Sequence, residues 1–148
     1  MKLETYFPYR VAVAAEAFSR QLVEVYGHEY GLSREEWRLL VLLAEEDAVT
    51  SVDLKHRATL DKVQISRAAK RLEDKGLITG RIAEHDKRQR IYRCTAKGRA
   101  LFAELFPQVE AKSRAVLNSM SAADRAALTK GIDALIKVME KSPSSPLP

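Results

Sequence analysis

Three helix starts crowded between residues 33 and 64 constrain this chain more than any other feature. In each, a short polar side chain precedes an acidic or amide residue by three positions, so that the two together satisfy N–H groups a helix leaves unpaired at its start. Ser33 with Glu36 opens a helix through about Ala44 that turns Trp37, Leu40, Val41 and Leu43 inward. Thr50 with Asp53 opens a short helix ending near Arg57. Asp61 with Gln64 opens a third, running to about Lys75, with Ile65, Ala68, Ala69 and Leu72 on its inner face.

After Gly76 the period changes from helical to alternating. Leu77-Ile78-Thr79 and Arg81-Ile82 form one strand, Ile91-Tyr92-Arg93-Cys94 its partner, and the polar run Glu84 to Gln89 the hairpin tip. Helix, short helix, helix and basic hairpin make a winged helix-turn-helix over residues 33–95. Long helices flank it. Residues 8–30 carry a stripe of Val11, Ala15, Phe18, Leu22 and Val25, with Pro8 in the first turn and Gly27 and Gly31 loosening the end. From Ala96 a second long helix aligns Leu101, Leu105, Val109 and Val116, and Pro107 inside it is expected to bend it. Ser121 with Asp124 caps a last helix bearing Leu128, Ile132, Leu135, Ile136 and Met139. The Pro/Ser-rich residues 142–148 are expected to be disordered. The fold class is mainly α with a small β-wing.

Charge follows this architecture. Residues 1–49 carry 5 Lys/Arg against 9 Asp/Glu, residues 50–95 carry 12 against 6, and residues 96–148 carry 8 against 5. The cationic excess therefore lies in the winged segment, as a polyanion-binding module requires; a solvated surface is the plainer alternative. Other chemistries find little support. The single cysteine, Cys94, excludes an internal disulfide and a cysteine-built zinc site. His28, His56 and His85 are scattered without metal-ligand spacing, and neither a phosphate loop nor a nucleophile elbow is present. No cofactor and no enzymatic activity are expected. No apolar run approaches the ~18 residues of a membrane span, and the N-terminal ten residues do not read as a signal peptide, so the cytoplasm is the expected compartment.

A set of short motifs in order gives the chain a family likeness. Gly31-Leu32-Ser33 leading to Trp37, then Leu54, Ser66-Arg67, Arg71-Leu72-Glu73, Lys75-Gly76-Leu77-Ile78, Asp86-Lys87-Arg88 and Thr95-Ala96-Lys97-Gly98 resemble the MarR (multiple antibiotic resistance regulator) family over about residues 8–141. The resemblance implies a homodimeric regulator, usually a repressor, that binds palindromic double-stranded DNA and often responds to small aromatic ligands. The apolar stripes of the terminal helices agree, since they belong to no second core within one chain and a twofold mate would bury them. Residues 1–32 and 96–141 are then the dimerisation region. A dimer sets two half-sites roughly 34–36 Å apart.

By the same resemblance, the helix from residue 61 to 75 enters the major groove, with Lys62, Val63, Gln64, Ser66 and Arg67 at or near its exposed face. Gln64 suits adenine and Arg67 guanine, although capping alone accounts for Gln64. Arg88 resembles a minor-groove arginine steadied by Asp86; the alternative is an exposed ion pair worth ~0–1 kcal/mol. Lys87, Arg90, Arg93, Lys55 and Arg57 fit phosphate contacts or a solvated surface. Cys94 stands where the family packs an apolar residue under the wing, a structural rather than an oxidant-sensing position. Effector candidates on the seam between the winged helix and the long helices are Tyr6, Tyr9, Arg10, His28, Tyr30 and Trp37, whose rings and cations suit an aromatic carboxylate or its acyl-CoA thioester. These rings are equally compatible with plain core packing. A winged helix that binds RNA or another protein, with no response to a small molecule, is the rival reading.

Overall fold

The computed structural model describes residues 1–141, and the tail expected to be disordered lies outside the described residues. The chain divides into two compact units, residues 1–112 and the segment from Ser113 onward. A 3-10 turn at Leu3–Thr5 precedes α1 (Phe7–Tyr26), α2 (Arg34–Ala44), β1 (Val49–Thr50), α3 (Ser51–Arg57), α4 (Lys62–Asp74), β2 (Ile78–Ile82), β3 (Arg90–Cys94), α5 (Ala96–Asn118) and α6 (Ala122–Lys141).

Two of the three caps form as reciprocal boxes, and the third, Thr50 with Asp53, forms in one direction only. Ser33 Oγ accepts from Glu36 N at 3.1 Å while Glu36 Oε2 accepts from Ser33 N at 2.7 Å. Asp61 and Gln64 make the same reciprocal pair at 2.8 and 3.0 Å. Thr50 accepts from Asp53 N at 3.2 Å. Leu39, Leu40 and Leu43 of α2, Leu54 of α3, and Ala68 and Leu72 of α4 are fully enclosed, and Ile65, Ala69 and Tyr92 are also buried. Val41, expected inside, is half-buried, and Leu39 takes the deeper position.

Two features depart from the sequence reading. The first helix stops at Tyr26 rather than near residue 30: Gly27 caps it, and the turn that follows ends at Gly31 (φ +66°), where the chain reverses with Leu32 N donating to Tyr26 O at 3.1 Å. A third strand also exists. β1 pairs antiparallel with β3, Val49 opposite Tyr92 and Thr50 opposite Ile91, so the sheet order is β1-β3-β2. Its two residues are too few to show an alternating pattern.

The Thr95-x-x-Gly98 motif has a packing explanation. Thr95 Oγ1 donates to Gly76 O at 2.7 Å and accepts from Gly98 N at 3.0 Å, stitching the start of α5 to the entry of β2. A Cβ on Gly98 would lie 2.1 Å from Leu77 O, so only glycine lets α5 approach the hairpin this closely. Beneath α4, Glu36 is the one buried charged residue of the core described here; Lys75 Nζ donates to its Oε1 at 2.6 Å and to Gly31 O at 2.9 Å. Burial raises the Glu36 pKa, but the Lys75 and Ser33 hydrogen bonds outweigh it and the carboxyl is held below its ordinary value.

In the second unit, Ser121 Oγ caps α6 by accepting from Asp124 N at 3.0 Å. No residue of α6 is buried in the chain.

Candidate nucleic-acid interface

The capping box that starts α4 fixes which of its side chains point outward. With Ile65, Ala68, Ala69 and Leu72 committed to the core, helical periodicity leaves Lys62, Val63, Gln64, Ser66 and Arg67 exposed together on the first two turns. Gln64 spends its amide oxygen on Asp61 N, which leaves the amide NH2 as the group available to a ligand. Val63 is 56% exposed, an apolar residue on a polar face where it serves no packing purpose within the chain.

The wing supplies a second cationic element. At its tip Gln89 N donates to Asp86 O at 3.0 Å, and Ala83 N to Gln89 O at 3.0 Å, closing the turn. Asp86 Oδ1 accepts from both Arg88 N (3.0 Å) and Arg88 Nε (3.3 Å). The Arg88 side chain nevertheless stays 91% exposed, so the carboxylate orients the guanidinium without covering it. Lys87 and Arg93 are exposed on the same hairpin. Arg90 is held differently: its Nη2 lies 3.7 Å from Glu73 Oε1 and its guanidinium carbon 5.9 Å from the Tyr92 ring centre. Burial pushes the Tyr92 phenol up, and the neighbouring Arg90 opposes this only in part. Elsewhere Arg57 pairs with Glu46 at 2.9 Å, and Lys55 is exposed on the last turn of α3.

Sequence reasoning missed Glu73, which joins α4 to the hairpin. The available signal was Gly80, a glycine inside a strand, which marks a close approach. Cys94 is half-buried, its Sγ 3.7 Å from Leu77 O, and burial raises its thiol pKa, the opposite of what a reactive thiolate needs.

The effector candidates do not gather into one cluster. Trp37 is buried and stacks between Tyr26 (5.5 Å) and Phe102 (6.1 Å). Tyr30 donates to Glu104 Oε1 at 3.2 Å and accepts from Gln108 Nε2 at 2.9 Å. Tyr6, Tyr9 and Arg10 are exposed at the start of α1, and His28 is exposed in the turn after it. A cavity of about 350 Å³ opens instead beside Trp37, walled by Val41, Leu42 and Ala58, with Arg38, Arg57 and Thr59 at its polar edge. Among the described residues no group of three His, Cys, Asp or Glu is placed to hold a metal ion, and no helix is long and apolar enough to cross a membrane.

A capped helix with a polar outer face, braced by two shorter helices and flanked by a basic hairpin on a three-stranded sheet, defines a winged helix-turn-helix protein. Residues 30–89 match the MarR family model, so the chain resembles that family over its winged segment. It is similar to an uncharacterised HTH-type transcriptional regulator of Bacillus subtilis, YdgJ, with 30% identity over 108 residues; the match takes in 73% of this chain and 64% of that protein's length. In structure it resembles a MarR family transcriptional regulator from Silicibacter pomeroyi, with 27% identity and a TM-score of 0.79 over 94% of this chain and 98% of that one. It shares its fold with Bordetella bronchiseptica BpsR, a protein whose DNA binding is regulated by 6-hydroxynicotinic acid (17% identity, TM-score 0.77, 98% and 99% covered).

Proposed function

We propose that this chain is a homodimeric, sequence-specific DNA-binding transcriptional regulator of the cytoplasm, a repressor of a pseudo-palindromic operator that a small aromatic acid or its CoA thioester relieves. The observation that carries the reading is the pairing of two exposed elements with nothing to do inside the chain: the outer face of α4 and the carboxylate-oriented Arg88. On this reading Lys62, Val63, Gln64, Ser66 and Arg67 enter the major groove. Arg67 suits guanine, and the free Gln64 amide donates to a base acceptor. Asp86 aims Arg88 at a narrow minor groove, while Lys87 lies by the phosphates and Arg90 stands on the same DNA-facing hairpin. Residues 33–95 form the DNA-binding part, and residues 1–32 and 96–141 the dimerisation part. Supporting the dimer, Leu128, Ile132, Leu135, Ile136 and Met139 of α6 are each at least 39% exposed in the single chain.

The effector class is supported by the cavity beside Trp37, where an aromatic wall meets two guanidinium groups, and by the regulation of BpsR by an aromatic acid. Tyr6, Tyr9, Arg10, His28 and Tyr30, candidates from the sequence, lie outside the lining of this cavity. Trp37 is the only tryptophan, so its fluorescence reports on ligand entry directly.

Selection of bound sequences from random duplex DNA tests the central reading, and a twofold-symmetric consensus is expected. Failure to enrich any sequence, or equal affinity for single-stranded RNA at matched salt, would favour an RNA-binding or protein-docking winged helix instead.

A further inference from the structure

Arg88 and Arg90 stand two residues apart on the same basic hairpin, yet the fold treats them differently. Arg88 is paired within its own turn and projects almost fully into solvent. Arg90 is drawn back onto the protein, its side chain 45% exposed, toward a carboxylate from another element, Glu73 in the last turns of α4. That carboxylate has had room made for it. Gly80 lies opposite Tyr92 in the β2–β3 register, and a Cβ at Gly80 would sit 2.7 Å from Glu73 Oε1 and 2.9 Å from Tyr92 Cε1. A Cβ there would crowd both the Glu73 carboxylate and the Tyr92 ring, and one of them would have to shift. The Arg90 guanidinium also rests over the Tyr92 ring, and its backbone N–H donates to Ser51 Oγ at 3.2 Å.

We propose that Glu73 is an internal restraint on DNA affinity: it occupies Arg90 in place of a backbone phosphate, lowering the affinity for any duplex regardless of sequence. The inference rests on the DNA-binding reading above and adds a residue to it. Its logic is electrostatic. A phosphate contact carries no base information and adds affinity to cognate and non-cognate sites alike. Each one also releases condensed counterions, so it steepens the fall of affinity with salt by about 0.9 in the logarithmic slope. An arginine engaged by a protein carboxylate makes no such contribution. The separation of 3.7 Å between Arg90 Nη2 and Glu73 Oε1 is that of a loose ion pair rather than a tight brace. Such a pair competes with a phosphate, whereas a buried short one would simply hold the fold.

The test measures binding of the full chain to a labelled mixed-sequence duplex across about 50 to 200 mM salt, for the wild type, Glu73→Gln and Glu73→Gln/Arg90→Gln. Glu73→Gln is expected to bind more tightly, with a slope steeper by about 0.9, so that its advantage grows about 3.5-fold from the high to the low end of that range. The double variant should lose that extra slope. Should Glu73→Gln fold poorly by thermal unfolding, Glu73→Asp withdraws the carboxylate by one methylene and is expected to show the same steepening. Unchanged or weaker binding by a folded Glu73 variant overturns the inference while leaving the DNA reading intact, and so does a gain that survives Arg90→Gln. A wild type that binds no duplex at low salt overturns both.

Discussion

Helices α4 and α6 begin alike and end in different circumstances. Each opens on a side-chain cap, Asp61 for α4 and Ser121 for α6. Each carries a recurring apolar stripe. Yet α4 buries Ile65, Ala68, Ala69 and Leu72 against elements of its own chain, α2 and β2 chief among them, while α6 buries nothing. Ile136 is 50% exposed and Met139 53%. Caps and periodicity are local and write both helices equally well. What covers a stripe is decided elsewhere, within the chain for α4 and, on the proposed reading, by a second copy for α6.

Truncation separates the two cases most forcefully. Leu72→Ala empties a fully enclosed position and is expected to cost about 2–5 kcal/mol of unfolding free energy. Leu135→Asp should do little to a lone chain, since that residue is 39% exposed there. In a dimer it would bury an unpaired carboxylate, at about 3–5 kcal/mol. Sedimentation should show a folded monomer, with operator affinity falling accordingly. A Leu135→Asp protein that remained a stable dimer would show that α6 is not the covered face.

The outward side of the same comparison concerns charge rather than burial. Arg88→Ala is expected to leave thermal unfolding and oligomeric state unchanged, because among the described residues its side chain pairs with Asp86 alone, in an exposed turn. Operator affinity should drop more than tenfold, the loss of a groove contact worth about 1–3 kcal/mol. Unchanged affinity at physiological salt would remove the wing from the interface.

How much of this was legible in the chain depends on the range of each interaction. The boxes Ser33/Glu36 and Asp61/Gln64 act over three residues, and both formed where their spacing placed them. The strand β1 was invisible because its two residues acquire meaning only opposite Ile91 and Tyr92. The end of α1 was ambiguous between two glycines: Gly27 caps the helix, and Gly31, with its positive φ, closes the turn that follows. Within the candidate interface, the α4 face followed from periodicity alone. The Glu73–Arg90 pair did not, because it joins a helix to a strand through space that Gly80 leaves open. The aromatic residues failed as a group for a related reason: Trp37 found its partners in Tyr26 and Phe102, and packing, unlike capping, has no fixed sequence separation.

Acid should weaken the α4 side of the molecule through Glu36. Its carboxyl is held below the ordinary value of 4.5, so the stability it contributes is fully present above that value and is lost as pH falls through its lower folded one. Glu36→Gln removes the charge that Lys75 answers and is expected to cost about 1–3 kcal/mol near neutrality. Measured from pH 7 downward, the gap between wild type and variant should persist to about pH 4.5 and then close. A gap that did not depend on pH would mean that the residue acts through packing alone.

The smallest expected effect lies in the turn that delivers the chain into α4, and it runs toward greater stability. Thr59 has φ +57°, the left-handed region that a β-branched side chain adopts at a cost of roughly 1–2 kcal/mol. Two hydrogen bonds offset part of that cost, since its Oγ1 donates to Ala58 O at 2.6 Å and accepts from Arg38 Nη1 at 3.2 Å. Asparagine tolerates the same backbone conformation and keeps an oxygen for Arg38. Thr59→Asn should therefore gain about 1 kcal/mol and raise the unfolding temperature by a few degrees. Glycine relieves the same strain but loses the Arg38 bond and adds about 0.5–1 kcal/mol of chain entropy to be lost on folding, so Thr59→Gly should come out near neutral. Thermal unfolding of the two variants side by side checks the account. If asparagine lowers the midpoint, the threonine hydroxyl matters more than the strain, and the turn into α4 is held by its hydrogen bonds in spite of its backbone.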